Sequence, residues 1–126
     1  MPDRPFSFTI SSRNRIPDSD ANHVSRRLSA MKGQFSDQQA YETLLEREDA
    51  QVYEVYEIPR PEVAGELRHG VSVVHPGKVG EEFFMTKGHF HAELETAEVY
   101  YCLQGEGMMI METAEGDCSI EQIHAG

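Results

Sequence analysis

Two histidines and one glutamate stand close enough in the sequence to hold a metal ion together. One residue separates His89 from His91, and six residues separate His91 from Glu98. In an extended strand, side chains two apart point to the same face, so both imidazoles would project together. If the chain returns as an antiparallel neighbour, the Glu98 carboxylate completes a two-histidine, one-carboxylate metal site with open positions for a substrate. The alternative is that all three are exposed polar residues of a half-solvated sheet.

The elements expected to position this motif are short strands. β-Rich and apolar runs recur from residue 52 onward, and turn residues such as Pro76-Gly77 separate them. This pattern is typical of an all-β sandwich or barrel, which places the chain in the all-β class. The predicted strands are 52–58, 70–75, 82–86 leading into the two histidines, 98–103, 108–111 and 118–123, with turns at 104–107 and 113–117. Met108, Met109 and Met111 are expected to line the core.

One short helix is expected before these strands, over residues 36–48. Ser36 and Gln39 form a capping-box pattern at its start. A helix of this length is not stable alone, so we expect its apolar stripe to lie against the barrel. The stripe consists of Tyr41, Leu44 and Leu45.

The segments before the helix carry weaker signals. Residues 1–22 predict an irregular arm with one short edge strand around residues 6–10. Residues 26–35 predict a turn-rich segment. Its adjacent Arg26 and Arg27 could bind a phosphate, although a solvated or ion-paired role suits a chain with 22 acidic residues better.

The composition narrows the partners and the compartment. The chain has 126 residues and a net charge of −11, which suits one globular domain over residues 1–126 and disfavours nucleic acid and anionic membranes as partners. Cys102 and Cys118 are expected to be free thiols. Because neither a leader nor an apolar run of membrane length is recognisable, we expect a cytoplasmic protein.

Several segments form a more specific pattern around the two histidines. They resemble the cupin-type glucose-6-phosphate isomerases of archaea and some bacteria, and the resemblance spans roughly residues 24–126. The gap of six residues before Glu98 is longer than in cupins at large but is usual in this family. The segments that carry the resemblance are 26–33, 52–56, 76–80, 82–84, 86–91 and 97–100.

The resemblance implies a cupin antiparallel β-barrel, jelly-roll-like, with a short N-terminal helix, and a homodimer. It also implies interconversion of glucose 6-phosphate and fructose 6-phosphate, with a sugar phosphate as small-molecule partner. By resemblance, residues 125–126 lie where a second cupin motif with a further metal-binding histidine begins, so the barrel is expected to be incomplete here. An incomplete reading frame, a shortened chain and a genuine short relative are equally open.

The resemblance also assigns roles to individual residues. Ser72, Thr86 and Gly88 resemble the positions that grip the substrate phosphate in the family. Tyr100 lies two residues after Glu98 on the same strand face, where it would contact the substrate or simply line the barrel. Glu98 is expected to be both a metal ligand and the catalytic group nearest the C1–C2 proton.

The metal and the reaction route stay open at this point. His89, His91 and Glu98 suit one divalent ion of Fe, Mn, Ni or Zn. Glu98 could serve as general base on a cis-enediol route, whereas a metal-assisted hydride shift needs no base. Two other functions are considered. One is a non-catalytic cupin that binds a metal or a sugar phosphate. The other is an iron dioxygenase, which the specific run 86–91 argues against by resemblance.

Overall fold

Strands dominate the part of the chain that a computed structural model describes, residues 5–18 and 20–126. The chain divides into two compact units, of which the first ends at His89 and the second runs from Phe90 to Gly126. The strands are β1 (Asn22–Arg27), β2 (Gln51–Glu57), β3 (Gly70–Val74), β4 (Lys78–Val79), β5 (Glu82–Phe83), β6 (Glu106–Glu112) and β7 (Cys118–His124); a 3-10 helix covers Leu28–Met31, and α1 covers Gln38–Arg47.

This element content confirms the all-β prediction at the level of class. The described strands form one three-stranded sheet and two two-stranded sheets, and none of these sheets closes into a barrel. The cupin barrel and the single domain over residues 1–126 therefore stay predictions. None of the helices in residues 5–18 and 20–126 has the length and apolar character needed to cross a membrane.

The three-stranded sheet of the first unit has the order β1-β2-β3 with antiparallel pairing. Val55 in the central strand pairs with Val24 on one side and Ser72 on the other. The expected turn-rich segment begins later than predicted, because Arg26 and Arg27 close β1. The edge strand expected at residues 6–10 is reduced to an isolated bridge between Ile10 and Pro17, and residues 1–4 lie outside the described residues.

The helix α1 forms where the apolar stripe predicts it, but with a different cap. Asp37 is the N-cap, and its carboxylate accepts a hydrogen bond from the Ala40 backbone N–H at 2.9 Å. Ser36 instead donates its backbone N–H and its hydroxyl to the Glu82 carboxylate. The capping-box interpretation of Ser36 was therefore wrong, because a long-range carboxylate takes the donors of this serine.

One hydrophobic core holds α1 against the sheet of the first unit. Tyr41 is buried, and its hydroxyl donates a 2.9 Å hydrogen bond to the Leu28 carbonyl, which satisfies the polar end of the ring. Leu44 and Leu45 are partly buried against the same core, so the predicted stripe is confirmed. The buried core residues are Leu28, Met31, Phe35, Tyr41, Val52, Tyr53 and Val79.

The second unit contains the β6–β7 hairpin. Ile110 pairs with Ile120, and the predicted turn at 113–117 is closed by a 2.9 Å hydrogen bond from the Thr113 N–H to the Asp117 carbonyl. The expected core role is not realised for Met108 and Met111, which are 64% and 44% exposed, whereas Met109 is half-buried. The prediction of a hairpin turn at 104–107 was also wrong, because β6 already begins at Glu106.

The segment between β5 and β6 is the main departure from the predicted strands. Residues 84–105 form no strand, which contradicts both the two-histidine strand and the strand expected at 98–103. A strand exists only where its N–H and C=O groups join a neighbouring ladder. Among the described residues no ladder includes this segment, so its β-rich composition alone does not make it a strand.

Candidate metal centre

A bend in the irregular segment brings the three predicted ligands together. The backbone turns at residues 92–95, where the Thr96 N–H donates to the Glu93 carbonyl at 3.0 Å. His91 Nε2 then lies 2.9 Å from Glu98 Oε1. One ligand atom each of His89, His91 and Glu98 lies within 4.8 Å of the other two. The residues meet as expected, although they do so through a bend and not on a shared strand face.

The donor set fits a divalent transition metal. Two imidazole nitrogens and one carboxylate oxygen are the ligands that Fe, Mn, Ni and Zn accept, and three ligands on one side leave positions for a substrate. The His91 side chain is 25% exposed and that of Glu98 43%, so the cluster is open to small molecules. Whether these residues bind a metal stays a prediction.

Tyr100 lies beside the carboxylate of this cluster. Its hydroxyl donates a hydrogen bond to Glu98. Partial burial, the negative charge of Glu98 and this hydrogen bond together raise the pKa of the Tyr100 phenol, so it is protonated at neutral pH. Tyr100 therefore lies against Glu98, although the shared strand face that their spacing predicted does not form. Whether Tyr100 contacts a substrate stays a prediction.

The three predicted phosphate-gripping residues belong to the first unit. Ser72 is exposed on β3, and Thr86 is exposed after β5. Gly88 has φ +70°, a left-handed conformation that favours glycine, and an added Cβ there would meet no atom within 4 Å. The left-handed backbone conformation is therefore the reason for a glycine at this position, since no neighbouring atom would exclude a larger side chain. The substrate roles of these three residues stay predictions.

A second cluster of two histidines and one glutamate was not foreseen. Glu54 lies at the centre of the three-stranded sheet, and its two carboxylate oxygens each take one histidine. His23 Nε2 is 2.8 Å from Oε1, and His75 Nε2 is 2.8 Å from Oε2. The Tyr56 hydroxyl donates to Oε1 at 3.0 Å, and its ring stacks on His23 with 4.3 Å between centroids. We call these four residues the Glu54 cluster.

The Glu54 cluster is an internal network rather than a ligand site. Burial alone would raise the pKa of Glu54, but hydrogen bonds from His75, His23 and Tyr56 outweigh it, and the pKa is lowered. The carboxylate already has three donors, and the cluster is not among the described groups whose ligand atoms converge. The alternating pattern of β2 was the only feature of the sequence that pointed to this cluster. Which side chains meet Glu54 depends on the register of β2 with β1 and β3.

The chain that carries this strand-rich fold and this two-histidine, one-carboxylate cluster has relatives among known proteins. Residues 25–125 match the family described as glucose-6-phosphate isomerase (GPI), and the chain belongs to this family. It is similar to the glucose-6-phosphate isomerase of Pyrococcus furiosus, with 48% identity over 113 residues that cover 90% of the chain and 59% of the relative. With that of Thermococcus litoralis the identity is 43% over 122 residues, covering 97% and 64%.

These comparisons also define how much of a relative the chain represents. The chain spans about 59% of the length of the Pyrococcus furiosus and Thermococcus gammatolerans relatives. The family match confirms the resemblance drawn from the histidine segments. The remaining two fifths of the relatives have no counterpart in residues 1–126.

Proposed function

We propose that the protein is a metal-dependent aldose–ketose isomerase that interconverts glucose 6-phosphate and fructose 6-phosphate. The proposal is supported by the family and by relatives named glucose-6-phosphate isomerase. The observation that carries it is the convergence of His89, His91 and Glu98 within 4.8 Å, because an isomerase that shifts a carbonyl needs an electrophile near the reacting carbons.

In this proposal the three residues hold one divalent ion of Fe, Mn, Ni or Zn. When bound, such an ion polarises the carbonyl and hydroxyl oxygens of the open-chain sugar. The acidic chain, with a net charge of −11, does not prevent binding of a sugar phosphate, because distant charges are screened beyond about 8–10 Å while contacts act locally. Ser72, Thr86 and the backbone of Gly88 would supply those local contacts to the phosphate.

Glu98 is the residue proposed to move the proton between C1 and C2. On a cis-enediol route its carboxylate takes the proton from C2 and returns it to C1, while the hydroxyl proton passes from O2 to O1, so that the carbonyl moves from C1 to C2. Tyr100 and His91 would hold this carboxylate in place, since both reach it directly. A hydride shift between the two carbons would leave Glu98 only a positioning role, and the loss of its charge would separate the two routes.

The assembly and location follow the family expectation. We propose a cytoplasmic homodimer that acts in glycolysis or gluconeogenesis on a sugar phosphate, without nucleic acid or membrane partners. The exposed edges of the described sheets give a physical route to pairing between copies. Sedimentation of the longest natural form of the protein would test the dimer.

A second candidate is a non-catalytic cupin that binds a metal or a sugar phosphate. It is favoured by one observation: residues 84–105, which carry the cluster, join no ladder among the described residues. Such a protein would keep the three metal-binding side chains but would not convert a sugar phosphate.

The experiment that separates the two compares the 126-residue chain with the full reading frame of its gene. Metal content and fructose 6-phosphate turnover are measured for both lengths. We expect weak metal binding and little turnover in the 126-residue chain, and both properties restored together by the full reading frame if it supplies a further histidine-bearing strand. Metal binding without turnover in the longer form would establish the non-catalytic alternative. Full turnover in the short chain would show that no further ligand is needed.

A further inference from the structure

A cleft of about 400 Å³ lies between α1 and β4 in the first unit. One face of α1 lines this cleft with three residues at a spacing of four, namely Gln39, Thr43 and Arg47. Lys78 lines it from β4. The full lining is Asp37, Gln39, Ala40, Thr43, Leu44, Arg47, Lys78 and Gly80.

Among the described residues, no carboxylate forms an ion pair with either cation of this cleft, Arg47 or Lys78. Within residues 5–18 and 20–126, the ion pairs of arginine are made by Arg60 with Glu66 and by Arg68 with Glu57 and Glu62, and none involves Arg47 or Lys78. This is notable in a chain with 22 acidic and 11 basic residues. Arg47 lies in the last turn of α1, where its positive charge interacts favourably with the helix dipole. This interaction explains the position of Arg47 but not that of Lys78, which lies on β4.

One of the two cations, Lys78, is held by an aromatic neighbour. The Lys78 ammonium lies 4.6 Å from the centroid of the Phe83 ring, which restricts its orientation. The lining contains one carboxylate, Asp37, whose Oδ1 accepts the Ala40 N–H and whose negative charge opposes part of the attraction of the two cations. The Gln39 amide offers neutral donors on the same helix face as Arg47.

We propose that this cleft binds a small phosphate-bearing anion, with Arg47 and Lys78 as its charged ligands. Arginine presents a planar fork that matches phosphate oxygens, and lysine adds a point charge. The site uses none of the residues assigned to the isomerase reaction, so it is an additional site on the first unit. A phosphorylated metabolite bound here would occupy a second anion site, separate from the proposed substrate site.

The test uses the 126-residue chain and inorganic phosphate as the probe. Amide shifts are followed by NMR while phosphate replaces chloride at constant ionic strength. We expect saturable shifts at Thr43, Arg47 and Gly80. The Arg47→Gln and Lys78→Gln changes should each weaken this binding about tenfold, because each removes one charged hydrogen bond. The exposed Lys32 lies outside the cleft, so Lys32→Gln should leave the affinity unchanged.

The outcomes separate this site from the proposed substrate site. Shifts confined to Ser72, Thr86 and Gly88 would overturn the second anion site and would instead support the proposed phosphate-binding residues of the isomerase. Shifts that grow without saturation, or that weaken equally in Lys32→Gln, would reduce the effect to general charge screening and would also overturn it. Unchanged circular dichroism of all three variants would show that the fold is intact.

Discussion

Two clusters of the same residue types, two histidines and one glutamate, are built in opposite ways in this chain. In the Glu54 cluster, each histidine takes a different oxygen of the central carboxylate, at 2.8 Å in both cases. In the candidate metal centre, one ligand atom from each residue converges on a common point, within 4.8 Å of the others. The first arrangement satisfies its carboxylate internally, whereas the second leaves room for an ion.

The difference follows from the backbone that carries each cluster. Glu54 lies on a central strand between two partners, and the register fixes His23 and His75 on opposite sides of it. A carboxylate on a central strand can therefore accept hydrogen bonds from side chains on both sides of that strand. His91 and Glu98 lie in one irregular segment that bends back on itself, so both side chains can approach a third point. Identical residue types therefore indicate a metal site only together with the backbone geometry.

The largest effect is expected from removing a ligand of the candidate metal centre. Loss of residues that merely support a metal ligand weakens binding about 10–100-fold, so His91→Ala should weaken it by at least that factor. The measurement is metal content by elemental analysis in the longest natural form. His75→Ala removes a histidine from the Glu54 cluster and should leave metal content unchanged. Equal losses in both variants would show that the two clusters do not differ in this respect.

The second prediction concerns turnover. Glu98→Gln keeps the shape of the side chain but removes its charge and basicity. If Glu98 is the general base, fructose 6-phosphate turnover should fall about 10²–10⁴-fold at saturating metal. The matched change Glu54→Gln, assayed well below its melting temperature, should leave turnover within about twofold. Near-normal turnover in Glu98→Gln at full metal occupancy would favour the hydride shift.

The sequence predicted elements whose signal is local and missed those that depend on distant partners. The stripe of α1 and the alternation of β2 and β3 can be recognised within ten residues, and all three elements form. β1 was missed because its polar composition hides a pairing with β2, about thirty residues away. The Glu54 cluster was missed for the same reason, since only the register brings His23 and His75 to it.

The candidate metal centre is an intermediate case. The sequence selected three residues that do lie together, and the proximity of His91 and Glu98 in the chain made this possible. The expected strand face was wrong, however, because a β-rich composition cannot supply a missing ladder partner. The short separation of the three residues along the chain allowed their meeting to be predicted. The bend that brings their side chains together could not be predicted.

A moderate effect on stability is expected when the Glu54 carboxylate is removed. Glu54→Leu leaves the donors of His23, His75 and Tyr56 without their shared acceptor, although the partly exposed histidines regain water. We expect a loss of about 1–2 kcal/mol in the free energy of unfolding, measured by urea titration. Arg68→Gln, which breaks a pair in which the Arg68 side chain is 60% exposed, serves as the control and should have little effect. An equal loss in both variants would contradict a special role for Glu54.

The smallest effect is a pH dependence that belongs to the Glu54 cluster. Because the pKa of Glu54 is lowered in the folded chain from its ordinary value of 4.5, its stabilisation is present above pH 4.5 and is lost as the pH falls through the folded pKa. Glu54→Gln has no such titration, so the difference in stability between wild type and variant should shrink as the pH is lowered below 4.5. Asp49 and Glu82, whose pKa values are also lowered, affect both proteins equally and cancel. A difference that stays constant from pH 6 to pH 3 would show that Glu54 contributes shape and not charge.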